Sequence, residues 1–476
     1  MEDTIAAIAT PSGEGGIGII RISGPEAQEI LGRIFVAAND EIKPRELTYG
    51  HIVNKEKEEV IDEVMACFMP APATYTKEDV VEINCHGGRL PLSKTLELVL
   101  SQGARMAEPG EFTKRAFLNG RIDLSQAEAV IDLINAKTDA SLDVAITQLE
   151  GKFSQEITNL RKALTDILVN VAVNIDYPDE DIEEVTYQEL ISGLKNISGD
   201  IKELIESSKT GKILREGFTV VIIGKPNVGK SSLMNSLLRE SRAIVTEIPG
   251  TTRDTIEEFV NIRGIPVRLI DTAGIRETED PVEKIGIEKS RDALEEADFA
   301  ILLVDSSEKI SEEDKELREL IRGGIPAAVI FNKEDKGQKI SEEEMKNFAD
   351  PLPYISISLK ESSGVKGVEA LIFNASGYSP NGERREAARA SSEASSVASF
   401  SKKTKGSIVT NVRHKNMLTL AEASISDAIK SAEENAPLEL IEIDIASAYE
   451  NLGFITGDSV QEDIIEQVFN RFCLGK

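Results

Sequence analysis

The chain has 476 residues, with 54 lysines and arginines against 83 aspartates and glutamates, a formal charge of −29. Hydrophobic residues make up 41% of it and apolar runs recur along most of its length, so it can build packed cores and is not a disordered chain. No apolar run reaches the ~18 residues that a membrane-spanning helix needs. The acidic balance also excludes an unspecific nucleic-acid coat protein, while leaving room for a nucleic-acid substrate held by a local basic patch or by a partner. The length predicts about three domains. Cys67, Cys85 and Cys473 are too few and too scattered for a disulfide framework or a CxxC metal site, and they suit a reducing cytosol. The start, Met1-Glu2-Asp3-Thr4, lacks the features of a secretory signal or a transit peptide, so the expected location is cytoplasmic, with no membrane partner.

In chain order, residues 1–118 mix short apolar runs with turn residues. Ile17–Ile22, Val60–Phe68 and Val80–Asn84 read as strands and Leu90–Leu100 as a helix, which predicts a small α+β domain. Cys67 sits in one of these apolar runs and reads as a core thiol. From 119 to 215 the apolar period becomes 3.6: Leu124–Ile134, Leu142–Leu149, Ile157–Val173 and Tyr187–Ile205 read as helices of a helical domain. The acidic stretch Asp176–Glu184 reads as a solvated loop.

From 216 to 375 the pattern changes again. Phe218–Ile223, Val267–Ile270, Phe299–Val304, Ala327–Phe331 and Tyr354–Ile357 are continuous apolar runs separated by helical stretches. That alternation predicts α/β architecture with a mainly parallel sheet covered on both faces. Residues 376–407 are rich in Ser, Ala, Arg and Lys and read as a mobile linker or an added surface loop, with a solvated helix as the alternative. The helical period returns over 408–476, so the α/β unit reads as inserted into a helical domain.

The run Gly224-Lys225-Pro226-Asn227-Val228-Gly229-Lys230-Ser231 matches GxxxxGK[ST], follows a predicted strand and opens a helix at Ser231-Ser232. Its glycines let backbone N–H groups face phosphates, Lys230 reaches the β and γ oxygens, and the Ser231 hydroxyl can ligate Mg²⁺. Asn332-Lys333-Glu334-Asp335 fits NKxD after a strand. Asp335 would accept both the N1–H and the exocyclic amine of guanine; adenine lacks that donor pair and would leave the carboxylate unsatisfied. Asp271-Thr272-Ala273-Gly274 fits DxxG, with Asp271 holding Mg²⁺ through water and the Gly274 N–H meeting the γ-phosphate. Thr252, in Gly250-Thr251-Thr252-Arg253-Asp254, is the natural switch ligand for Mg²⁺ and γ-phosphate, and Ser358 stands where a loop facing the guanine oxygen belongs. These motifs, in this order, specify a GTPase. Ile275 stands where many GTPases carry a glutamine that orients the attacking water. Another group must do that work, and Asn227 could help ligate a monovalent cation that neutralises developing charge.

The chain end, Phe472-Cys473-Leu474-Gly475-Lys476, resembles the end of the MnmE (TrmE) family. Thr4–Pro11, Gly15-Gly16-Ile17-Gly18, Arg21-Ile22-Ser23-Gly24, Glu82–Gly88 and Pro109–Phe117 are similar to its N-terminal domain, and Asp271–Glu277 to its G domain. The resemblance covers the chain except 376–407. It implies a homodimer formed through an N-terminal tetrahydrofolate-binding domain (1–118) and a helical domain carrying an inserted Ras-like G domain. It implies a tRNA-modifying GTPase that acts with an MnmG (GidA)-type flavoprotein, as a heterotetramer, to build 5-aminomethyl or 5-carboxymethylaminomethyl uridine at the tRNA wobble position. The one-carbon unit would come from 5-formyl- or methylene-tetrahydrofolate. GTP hydrolysis would be K⁺-dependent through G-domain pairing.

Carried over to this chain, Asn227, Thr246, Ile248 and Thr251 would line the K⁺ site, and Ser231 and Thr252 would hold Mg²⁺. Glu247, Pro249 and Gly250 would complete the GTP contacts, and Glu283 would orient the water. Arg21, Glu82, Arg121 and Lys476 would contact folate, and Cys473 matches the tail cysteine. Cys85 and His86 read as structural residues. Two other readings stay open: a ribosome-assembly or signalling GTPase switch, and a folate-dependent one-carbon transferase. The Gly15–Gly18 loop and the Cys-Leu-Gly-Lys tail separate the first of these from the family reading, and turnover without a partner protein would mark the second.

Overall fold

The computed structural model describes residues 3–11, 13–39, 42–176, 186–240, 243–244, 257–271, 293–322, 324–378, 407–458, 462–473 and 475. Two compact units result, one of Met1–Ile131, Gln148–Glu183 and Leu438–Lys476, the other of Asp132–Thr147 and Glu184–Pro437.

The first unit is built on a seven-stranded sheet. In chain order its strands are β1 (Ile5–Ile8), β2 (Ile17–Ser23), β3 (Phe35–Ala37), β4 (Thr48–Asn54), β5 (Glu59–Met69), β6 (Val80–His86) and β7 (Arg105–Met106). They lie in the order β3-β4-β5-β6-β2-β1-β7, antiparallel except for the β1–β7 pair. The helices Ala27–Ile34 and Arg89–Ser101 cover one face. Ile30, Leu31, Leu96 and Val99 pack there on Ile20, Ile22, Val81 and Ile83. Strand alternation sorts the side chains of β5: Asp62, Val64, Ala66 and Phe68 are buried on the helix-covered face. Cys67 therefore falls on the other face and is only half-buried, which corrects its reading as a core thiol. Cys85, on the covered face, is a buried thiol that burial pushes up to about 12. Two long helices, Lys152–Asp176 and Leu438–Thr456, pack on each other, with an ion pair between Arg161 and Asp458. The short helix Glu462–Phe469 packs on Glu111–Leu118, where Phe117, Phe469 and Phe472 join Leu124 and Ala127.

The second unit joins two more long helices to the inserted α/β fold. Tyr187–Glu216 starts at a capping box in which Thr186 and Glu189 satisfy each other's backbone N–H groups, and it packs against Val412–Glu433. The sheet contains β8 (Phe218–Ile223), β9 (Ala243–Ile244), β10 (Glu257–Ile262), β11 (Ile265–Asp271), β12 (Phe299–Asp305), β13 (Ala327–Asn332) and β14 (Tyr354–Ser356), in the order β14-β13-β12-β8-β11-β10-β9. Five strands run parallel, and the β10 pairs with β9 and β11 are antiparallel.

Strands β8, β12 and β13 are buried at every position, which is why they read as unbroken apolar runs. Val220 and Ile222 meet Leu233, Leu237 and Val368 on one face. Val221 and Ile223 meet Leu317 and Met345 on the other. The predicted α+β and parallel α/β architectures are both present. Tyr378 is buried against Phe373, so packed chain extends past 376; residues 379–406 and most of the acidic Asp176–Glu184 stretch lie outside the described residues.

Candidate functional site

Strand β8 ends at Ile223 and the loop Gly224–Gly229 carries the chain to the helix Lys230–Glu240. Asn227 holds a left-handed backbone (φ 61°), and Gly229 has φ 108°. A side chain at Gly229 would be strained by this φ and would displace Asn332, whose Nδ2 would stand 2.5 Å from an added Cβ. The loop is locked to the base loop at this point. Asn332, at the end of β13, donates from Nδ2 to the Val228 carbonyl (2.8 Å) and accepts at Oδ1 from the Leu359 N–H (3.3 Å). Lys230 donates to the carbonyls of Gly224 (2.6 Å) and Lys225 (2.8 Å), which holds its ammonium over the loop. Ser231 and Ser232 stand exposed at the start of the helix, where backbone N–H groups and the helix dipole favour an anion.

The base loop converges on Asp335. Its carboxylate is 7% exposed; Oδ1 accepts from the Ser358 hydroxyl at 2.9 Å, and Oδ2 has only the exposed Lys360 ammonium at 3.9 Å beside it. Lys333 takes a left-handed backbone (φ 67°) and pairs with Asp305 at 2.6 Å. Burial would raise Asp305, but Lys333 and Ser307 outweigh it and hold the carboxyl below its ordinary range. The leucine at 359 acts through its backbone N–H, and its side chain lies beside Gly229.

The structure thus gathers Asn227, Val228, Gly229, Lys230, Ser231, Ser232, Asn332, Lys333, Asp335 and Ser358 into one site. Asp271 ends β11, parallel to and in register with β8. Thr246, Glu247, Ile248, Pro249, Gly250, Thr251, Thr252, Thr272, Ala273, Gly274 and Glu283 lie outside the described residues.

A second constellation lies in the first unit. Register places Arg21 of β2 opposite Glu82 of β6, and the guanidinium meets that carboxylate at 2.9 Å from Nε and 2.8 Å from Nη2. Arg121 lies 4.7 Å above the ring of Tyr75 and donates to its carbonyl at 3.2 Å. Arg21 is 5.8 Å from the same ring and 5.7 Å from that of Phe112. Two guanidiniums therefore share Tyr75 as a platform, and the Tyr75 hydroxyl bonds that of Thr113 at 2.9 Å. Tyr75 and Phe112 are absent from the candidates read from sequence; the signal for Tyr75 is an aromatic in a polar, proline-containing loop, and Phe112 lies within the Pro109–Phe117 run.

That loop is held by a fully buried arginine. Arg115 meets Glu78 (3.2 Å), Glu111 (3.1 Å) and Asp3 (2.9 Å), so its charge is compensated. Ser23 adds bonds to Thr76 (2.7 Å) and Glu78 (2.8 Å). The chain end returns to the same sheet. A Cβ at Gly475 would stand 2.3 Å from the Ile8 carbonyl, and the Cys473 carbonyl accepts from the Gly110 N–H at 3.4 Å. The Cys473 side chain is exposed, and Lys476 lies outside the described residues. His86, at the end of β6, is exposed and bonds the buried Asp62 at 2.6 Å, which raises its pKa; among the described residues no group of three potential metal ligands forms.

A mainly parallel sheet, a phosphate loop opening a helix and a buried carboxylate in an NKxD loop after β13 together define a P-loop GTPase. Residues 4–121 match the family described as "GTP-binding protein TrmE N-terminus", and residues 124–473 the one described as "MnmE helical domain". The chain belongs to the MnmE family. It is 50% identical over 481 aligned residues to the tRNA modification GTPase MnmE of Alkaliphilus oremlandii (strain OhILAs), and 48% identical over 481 to that of Bacillus subtilis (strain 168), covering 100% of each chain. The G domain of the T. maritima FeoB iron transporter is similar over 33% of this chain and 98% of its own, with 25% identity and a TM-score of 0.26.

Proposed function

We propose that the chain is a tRNA-modifying GTPase that couples GTP hydrolysis to one-carbon chemistry on a wobble uridine. The observation that carries the GTPase half is the double lock made by Asn332. It ties the phosphate loop to the loop after β14, so bound guanine and phosphates are read by one preorganised body. Asp335 would take the two guanine donors, Lys230 the β and γ oxygens, and the first-turn N–H groups the remaining phosphate charge.

Ser231 offers a hard hydroxyl oxygen at the helix start, which suits Mg²⁺, and Thr252 would be its second protein ligand. Asn227, exposed on a left-handed backbone, suits a monovalent cation, with Thr246, Ile248 and Thr251 as the remaining K⁺ ligands. Bound there, the cations would neutralise charge developing on the phosphates. Glu283 would orient the water that Ile275 cannot.

Arg21, Glu82 and Arg121, with Tyr75 between the guanidiniums, offer cationic, acidic and aromatic surfaces that match the carboxylates, the amino-pterin edge and the flat ring of a tetrahydrofolate. Lys476 would add a cation, and Cys473, three residues before it, is an exposed thiol. The wider proposal is a cytoplasmic homodimer that works with an MnmG-type flavoprotein on tRNA. Among the described residues no helix is long and apolar enough to cross a membrane.

The test measures GTP hydrolysis of the full chain in K⁺ and then in Na⁺, with its mass in solution alongside. A strong K⁺ preference with nucleotide-dependent pairing supports the proposal. Equal rates in both salts would reject cation-driven hydrolysis and favour a plain switch. Mass spectrometry of tRNA nucleosides after incubation with the flavoprotein partner tests the modification step.

A further inference from the structure

Strand β12 ends on an acid, Asp305, and the first turn of the helix Glu312–Leu320 carries another, Asp314; each takes a lysine from a different nucleotide loop. At the near end Asp305 pairs with Lys333 of the base loop at 2.6 Å. The next residue, Ser306, donates from both N–H (2.9 Å) and Oγ (2.8 Å) to the carbonyl of Asn332, the residue that locks the two loops. At the far end Asp314 pairs with Lys225 of the phosphate loop at 2.8 Å, and Ser311 accepts from the same ammonium at 3.0 Å. The carbonyl of Lys225 in turn holds Lys230. We propose that the 305–314 stretch is a positioning element that fixes the phosphate loop and the base loop relative to each other. The proposal rests on the guanine-nucleotide reading above.

Helix capping alone does not explain Asp314. The helix Glu342–Ala349 has the same capping box, Ser341 with Glu344, and there the acid is exposed; Lys309 acts on it electrostatically, but among the described residues no lysine stands close enough to form an ion pair with it. Asp314 is 1% exposed, its Oδ2 takes the Ser311 N–H, the Ser311 hydroxyl and Lys225, and its Oδ1 has no hydrogen-bond partner among the described residues. A buried ion pair costs desolvation that an apolar pair of similar volume avoids, so it is a poor device for stability alone. What it adds is direction: a short charge-assisted bond sets where the Lys225 backbone, and through it Lys230, can sit.

The test uses the full-length chain, mant-GDP release by stopped flow, and kcat and KM for GTP and for ITP, whose base lacks the exocyclic amine. Asp314→Asn is expected to speed mant-GDP release roughly tenfold and to lower kcat, with the GTP-to-ITP preference unchanged. Asp305→Asn is expected to raise KM for GTP and to narrow that preference about threefold, because it loosens the base loop. The double variant Lys225→Met/Asp314→Asn carries no unpaired charge and keeps an amide oxygen that accepts from the Ser311 N–H. It is expected to regain the melting temperature while release stays fast, and it decides the matter should Asp314→Asn fail to fold. Release rates and base preferences within about twofold of wild type in all variants would overturn the proposal. So would a double variant that restores release together with stability. A wild-type chain that does not hydrolyse GTP would instead remove the nucleotide reading beneath it.

Discussion

The two sites are built in different ways. The nucleotide site is made largely of main chain: N–H groups at a helix start, carbonyls that hold Lys230, and an asparagine that bridges two backbones. The Tyr75 site is made of side chains brought from β2, β6, a loop and the residues after a helix, with a buried arginine holding the loop in place. Main-chain sites demand glycines and fixed spacings, because the backbone must turn at set places. Side-chain sites demand only that register and packing bring the right groups together, and the spacing between those groups carries no rule.

That contrast can be broken in four ways, taken from the largest effect to the smallest. Lys230→Ala should lower GTP hydrolysis at least ~100-fold while the melting of the chain hardly moves, because the loop's shape comes from backbone. Arg115→Met should do the reverse. It leaves Glu78, Glu111 and Asp3 without their buried partner, and it should destabilise the first unit by about 3–5 kcal/mol and abolish folate binding. Mant-GDP affinity should stay near wild type, and a parallel loss of nucleotide binding would show that the two sites are not independently built.

Tyr75→Ala should weaken tetrahydrofolate binding by about five- to tenfold, measured by calorimetry, as both guanidiniums lose their shared ring, while Tyr75→Phe should keep most of the affinity. Equal losses in the two variants would assign the role to the hydroxyl bond with Thr113 instead.

The smallest effect is electrostatic and confined to the first unit. The hydrogen bond from Arg105 outweighs burial and, with Arg115, holds Asp3 below its ordinary 3.8. Burial would raise Glu111, but Arg105, the Glu108 N–H and Arg115 outweigh it and hold it below 4.5. The folded unit therefore binds fewer protons than the unfolded chain. Its stabilisation from these groups is complete above the ordinary carboxylate values and is lost as pH falls through the lower, folded ones. Denaturant midpoints between pH 6 and pH 3 should fall in the wild type and fall less in Asp3→Asn. Equal slopes would remove Asp3 from the account.

Sequence alone carried the parts that local chemistry dictates. The strand–GxxxxGKS–helix order, NKxD and the apolar runs of β8, β12 and β13 could be read without a fold, because phosphate binding and two-sided burial constrain adjacent residues. The helical stretches could also be read, since a 3.6 period persists over several turns.

The face on which Cys67 would fall could not be read from its apolar run. The strand's alternation puts its neighbours Ala66 and Phe68 in the core and turns Cys67 away. Nor could the pairing of Lys225 with Asp314, 89 positions apart, or the meeting of Tyr75 with Arg21 and Arg121. These contacts depend on sheet order and register, which are set by the packing of the whole unit. Local sequence determined which chemistry this chain can hold, and tertiary structure decided which side chains stand close enough to perform it, because only packing brings distant residues within bonding distance.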